Sequence, residues 1–165
     1  MALDLNNIKT QFKSILDAAN TTTAAYDLST GLNTRVQTIA KVNPLKIPQY
    51  ASYYPYVTAY VDTKDIEQTN INRNFKDAKF GADINLLIVG AVWEPQQSVF
   101  NEDEADEQIE TLMENIEEIM RRNFTLNGTV KWCRVEKTEY HSLPIEEETH
   151  LRYGVSSLVV RVDEY

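Results

Sequence analysis

Hydrophobic positions change period along this chain, from helical to alternating, back to helical, and finally to alternating again. Leu5, Ile8, Phe12, Ile15, Leu16 and Ala19 recur at i, i+3, i+4 spacing. They predict an amphipathic helix over Leu5 to Asn20, with Asp4 as its N-cap. Asn20 to Thr23 supplies a stop, and Tyr26 to Asn33 reads as a loop that turns at Gly31. Arg35 to Val42 alternates, with Val36, Ala40 and Val42 on one face, and predicts a first strand ending at Pro44. Pro44 to Pro55 holds three prolines and the cluster Tyr50, Tyr53 and Tyr54, the pattern of an ordered, extended crossing. Pro55 to Asp62 predicts a second strand, with Val57, Ala59 and Val61 toward the core and Tyr56, Thr58 and Tyr60 outward.

Thr63 to Ala82 is polar and without firm period, a long connection of the kind that is often functional or disordered. Ile84 to Trp93 is apolar on both faces, as a central strand is. Together these segments predict a long hairpin with a mobile polar tip. After Pro95, helical spacing returns in Ile109, Leu112, Met113, Ile116, Met120 and Phe124, and Asn127-Gly128 marks the exit. Thr129 to Tyr140 and Tyr153 to Val162 predict two closing strands around a polar loop containing Pro144 and Glu146 to Glu148. The order α-β-β-β-α-β-β predicts an α+β fold, with two helices packed on one face of a mainly antiparallel sheet. At 165 residues the chain fits one domain, with 63–82 as its flexible polar tip.

Charge sharpens the second helix. Sixteen Lys and Arg stand against twenty-five acids, a net charge of −9. Asn101 to Glu118 alone holds nine carboxylates and no base, so the rest of the chain is neutral. Acids in the first turns and Arg121 and Arg122 at the end complement the helix dipole. Bases elsewhere are scattered, apart from a minor group at Arg73, Lys76 and Lys79, which argues against gripping a phosphate backbone. One cysteine, Cys133, excludes an intrachain disulfide framework and fits a reducing compartment. The N-terminus lacks the basic start and apolar run of a signal peptide. The longest apolar run, Ile84 to Trp93, is about half a membrane span. A soluble cytosolic protein, or one assembled in the cytosol, is expected.

The sequence offers little chemistry. His141 and His150 stand nine residues apart, with no metal-ligand spacing between them or near Cys133. A Cys133–His141 nucleophile pair is formally possible, but a thiol in the strand Val130 to Val135 is more commonly buried and structural. Asn101 to Asp106 lacks the glycine and ligand spacing of a calcium loop. The five glycines are isolated, so no phosphate-cradling loop exists. No catalytic, metal or cofactor residue is expected. The tyrosines from Tyr50 to Tyr60 read either as rings covering a sheet surface or as a subunit interface.

Three patterns carry a family likeness. They are the first helix followed by Leu32-x-x-Arg35-Val36, the strand Tyr54-Pro55-x-Val57-x-x-Tyr60-Val61, and the run Leu112-x-x-x-Ile116-x-x-x-Met120-x-x-Asn123-x-x-Leu126-x-Gly128-x-Val130. Over nearly its whole length the chain resembles the tail terminator and tail-completion (neck) proteins of long-tailed bacteriophages. It departs from them in the long 63–82 insertion and the acidic helix start. The resemblance implies a structural virion protein and no enzyme. It would form a ring, commonly a hexamer, that ends tail-tube polymerisation and meets the head connector. Its partners would be copies of itself, the tail tube protein and the connector. DNA would pass without specific binding, and no membrane or cofactor would be involved. Candidate subunit-interface residues are then Arg73, Lys76, Lys79, Tyr53, Tyr54 and Tyr56. The candidate acidic face, toward the lumen or a partner, comprises Glu102, Asp103, Asp106, Glu107, Glu110 and Glu114. Competing readings are a head-completion or tail-tube subunit of the same virion and a non-viral intracellular acidic adaptor. A metal-assisted hydrolase using the helix carboxylates comes last.

Overall fold

The computed structural model describes residues 3–68, 80–95, 101–146 and 149–163. Helix α1 spans Leu5–Ala19, with the Asp4 carboxylate accepting from Asn7 N–H at 2.9 Å. That cap satisfies one of the amide donors left free at a helix start. Strand β1 is only Thr38–Ala40; β2 is Tyr56–Gln68, β3 Phe80–Pro95, β4 Trp132–Glu146 and β5 Thr149–Asp163. Helix α2, Asn101–Arg122, falls between β3 and β4. The five strands form one sheet in the order β1-β2-β3-β5-β4, with β1 parallel to β2 and every other pair antiparallel. This is the α+β architecture and element order that the hydrophobic pattern predicts.

Both helices pack on the same face. Ile8, Phe12 and Leu16 of α1 and Ile109, Leu112, Met113, Ile116 and Met120 of α2 join Val57, Ala59, Ile84, Leu86, Ile88, Leu158 and Val160 in one buried core. Each fully buried Leu, Ile or Phe contributes about 1.5–3 kcal/mol, so the apolar stripe of α2 outweighs the repulsion among its solvated acids. The fit is closest where Gly90 of β3 pairs with Gly154 of β5. A Cβ on Gly154 would stand 2.5 Å from Met113 Cγ, and one on Gly90 would stand 2.7 Å from Met113 Sδ. Two glycines side by side thus form the hollow that seats α2.

Several expectations are corrected. The first strand does not cover Arg35 to Val42. Side chains capture the backbone at both ends: Val36 C=O accepts from Asn20 Nδ2, Val36 N–H donates to Ser29 Oγ, and Thr58 Oγ1 bonds both backbone groups of Val42. Val42 is exposed. The polar connection expected over Thr63 to Ala82 is shorter. Ladder pairs continue from Thr63↔Asn85 to Gln68↔Phe80, because backbone hydrogen bonds sustain a strand whose Asp62–Glu67 side chains face solvent. The remainder of that predicted tip, 69–79, lies outside the described residues. Helix α2 stops at Arg122; Leu126, Asn127 and Gly128 all take positive φ in the turn beyond it, and Phe124 is exposed instead of lying in the buried stripe. The loop expected around Pro144 is also strand, with β4 reaching Glu146 and β5 starting at Thr149. Proline is tolerated there because β4 is an edge strand and its register shifts between Pro144 and Glu146.

Candidate interaction site

The outward surface of α2 divides by what its polar residues hold. Asn115 Nδ2 donates to the carbonyls of Leu28 and Thr30, at 3.0 and 2.9 Å. Gln108 accepts from Asn33 N–H at 2.7 Å and donates to Gly31 C=O at 3.2 Å. One side of the helix therefore pins the loop that Asp27, Asn20 and Arg35 tie down from below. Glu118 is spanned by Arg121 and Arg122, which hold its carboxyl below the usual carboxylate range. Arg122 also lies over the Tyr26 ring, 3.6 Å from its centroid.

The predicted acidic face separates into parts with different roles. Asp106 pairs with buried Arg152 of β5 at 2.5 Å, so it joins helix to sheet. Glu104 accepts from Asn33. Glu102 and Asp103 fall in the first turn of the helix. Glu107, Glu110, Glu114 and Glu117 are exposed, and their 3-4-3 spacing places them in one stripe about 15 Å long. The stripe lies on the β4 side, where burial first, then Glu110, Glu114 and Glu117, raise the pKa of Tyr140.

On the opposite face of the sheet the tyrosines meet a second, smaller core. Tyr54, Tyr56, Ile47, Val89, Ala91 and Leu151 are buried together there. Tyr54 lies 5.0 Å from the Tyr56 ring and 5.3 Å from the Trp93 ring, and the Tyr54–Pro55 peptide is cis. Tyr56, expected outward, is thus covered, because the Pro44–Tyr54 segment folds back over that face as a strap. Thr58, also expected outward, is buried with its hydroxyl bonded to Val42. Tyr54 and Tyr56 serve the subunit's own packing, and burial raises both phenol pKa values. Tyr53 is exposed, as are Leu45 (92%) and Tyr50 (68%).

Between the strap and the sheet runs a groove of about 580 Å³ with an uncharged lining that includes Pro44, Pro48, Tyr60, Tyr153 and Val155. The sequence had marked the tyrosine cluster but not Tyr153, Val155 or Leu151, whose shared parity on β5 was the available signal. Arg73, Lys76 and Lys79 lie outside the described residues. Cys133 is buried, and its thiol is pushed up to about 11 by that burial. His141 points elsewhere and stacks on Tyr153 at 5.0 Å. Among the described residues no group of three or more His, Cys, Asp or Glu could hold a metal ion. No helix among them is long and apolar enough to cross a membrane.

Compared with known proteins, the chain matches no family model and no curated protein.

Proposed function

We propose that this chain is a structural subunit of a long-tailed bacteriophage. It forms a ring, a hexamer by the resemblance, at the head-proximal end of the tail, where it ends tube polymerisation and meets the head connector. The observation that carries this reading is the sheet face opposite α1 and α2. Leu45, Tyr50 and Tyr53 stand exposed there beside an uncharged, aromatic-walled groove. Exposed apolar side chains beside an uncharged groove suit contact with another protein, and Tyr is enriched in such contacts. The Glu107–Glu117 stripe would supply a surface that repels phosphates, which suits a ring through which DNA slides without sticking. The subunit would assemble in the host cytoplasm and end in the virion.

Immunogold labelling tests the placement. Antibody against this chain, applied to phage particles containing it, should decorate the head–tail junction. Label along the whole tail would instead make it a tube subunit, and particles without label would overturn a virion role.

A further inference from the structure

We infer that copies of this chain join head to tail through their two sheet edges, with β2 of one copy pairing antiparallel to β4 of the next. The inference rests on the ring reading and names the surface that would build the ring.

Both edges are open. Strand β1 pairs with β2 only over Tyr56–Thr58, so over Ala59–Thr63 that side of β2 has no strand partner among the described residues. At the other end of the sheet, β4 pairs with β5 alone. Its first outward amide, Cys133 N–H, is taken by Phe124 C=O, so the open stretch starts at Arg134. Unpaired edge groups are a template for strand addition by another chain.

Height and direction both match. Following the register across the sheet, Thr63 is level with Asn85, Val159 and Arg134, and Ala59 is level with Ile88, Ser156 and Thr138. The open stretches Ala59–Thr63 and Arg134–Thr138 therefore stand at the same height on opposite edges. Strand β2 runs with β5, and β4 runs against both. Copies rotated about an axis along the strands keep their strand directions, so the junction is antiparallel, like the β2–β3, β3–β5 and β5–β4 pairs.

Charge suits the unlike edges. On β2, Asp62, Lys64 and Asp65 are exposed in or near the open stretch, and on β4 Arg134 and Lys137 are exposed beside Glu136 and Glu139. The two cations now pair with Glu136 and Glu139 on their own strand, at 2.7 and 2.5 Å. Exposed pairs of that kind contribute little and can exchange partners. With the edges level, Asp62 of β2 falls beside Arg134 of β4, so pairing β2 with β4 brings one pair of opposite signs together. An interface between unlike surfaces closes into a ring when its rotation closes.

Cysteine cross-linking tests this in full-length protein carrying Cys133→Ser. Asp62→Cys or Thr63→Cys is combined with Arg134→Cys or Lys137→Cys, four combinations that span the register. Under oxidation, at least one combination should give a ladder of covalent multimers on a denaturing gel. The corresponding single variants should give none when alone and only dimers when mixed. Rings seen by imaging without cross-links in any combination would overturn edge pairing and leave the ring reading standing. Cross-linked filaments would uphold edge pairing and overturn the ring reading. Dimers from one single variant, or protein that stays monomeric at high concentration, would overturn the inference.

Discussion

Met113 of α2 sits directly over Gly154 of β5, so close that any side chain at 154 would overlap it at Cγ. Gly90, paired with Gly154, completes the same hollow. Packing holds the acidic helix to the sheet at this point, in addition to the Asp106–Arg152 ion pair. Gly154→Ala is expected to destabilise the protein by about 1–3 kcal/mol through overpacking. In a Met113→Ala background Gly154→Ala should cost less, because the two changes share one space. Urea melts of the four proteins of this cycle measure it; strictly additive losses would contradict the seating.

The exposed carboxylates make the converse case. Changing Glu107, Glu110, Glu114 and Glu117 together to Gln should leave stability within about 0.5 kcal/mol per site, as surface changes usually do. Thermal melts check this. A large gain would mean that mutual repulsion strains the helix, and a large loss would mean that the stripe has partners within the subunit.

Asn115 and Gln108 are polar residues set among acids, and their amide nitrogens distinguish them. Asn115→Ala leaves two carbonyls without a donor and should cost about 1–3 kcal/mol. Asn115→Asp should cost more, since a carboxylate oxygen would face those carbonyl oxygens. Denaturant midpoints for the pair give the order, and an Asp variant as stable as wild type would sink the pinning role.

Arg35 donates to both oxygens of Asp27, at 3.0 and 2.8 Å, and this bond first, against burial, holds the Asp27 carboxyl below its usual value. A carboxylate depressed in the folded state contributes its stability above the unfolded value of about 3.9 and loses it as pH falls through the lower folded value. Asp27→Asn should therefore be less stable than wild type at neutral pH, by a margin that shrinks below about pH 4. Stability measured against pH decides, and a margin constant down to pH 2 would rule out the ion pair as its source.

Burial of the Cys133 thiol has the opposite sign. With its pKa pushed up to about 11, the neutral thiol is favoured in the folded state. Its contribution is complete below the ordinary cysteine value of about 8.5 and is lost as pH rises through about 11. At pH 8 the folded protein should react with a thiol reagent roughly a hundredfold more slowly than the unfolded chain, following the loss of thiolate. Equal rates would show the thiol to be accessible.

The sequence was most legible where burial follows the local hydrophobic pattern. The stripes of α1 and α2 and the two-sided apolar run Ile84–Trp93 appear in the structure almost as spaced, with Phe124 the exception. Phe124 fails because the helix ends at Arg122 and the following turn carries the ring outward. Period is silent about long-range pairing, and the larger misreadings share that cause. Thr63–Glu67 has no buried face to show, yet β3 supplies its ladder partners. Tyr56 reads as outward by alternation, yet a strap from an earlier part of the chain covers it. The Gly90–Gly154 hollow joins residues sixty-four positions apart and gives no local signal. Of the candidate site, the acid count was plain, whereas its division into Asp106 for the sheet, Glu104 for the loop and a free outer stripe depended on tertiary contacts.

Solution mass with negative-stain imaging, on full-length protein at moderate salt and high concentration, tests the ring most directly. A closed ring with the mass of about six subunits, unchanged on further concentration, is expected from the family resemblance and the open sheet edges. Filaments that lengthen with concentration, or a monomer at every concentration, would contradict it.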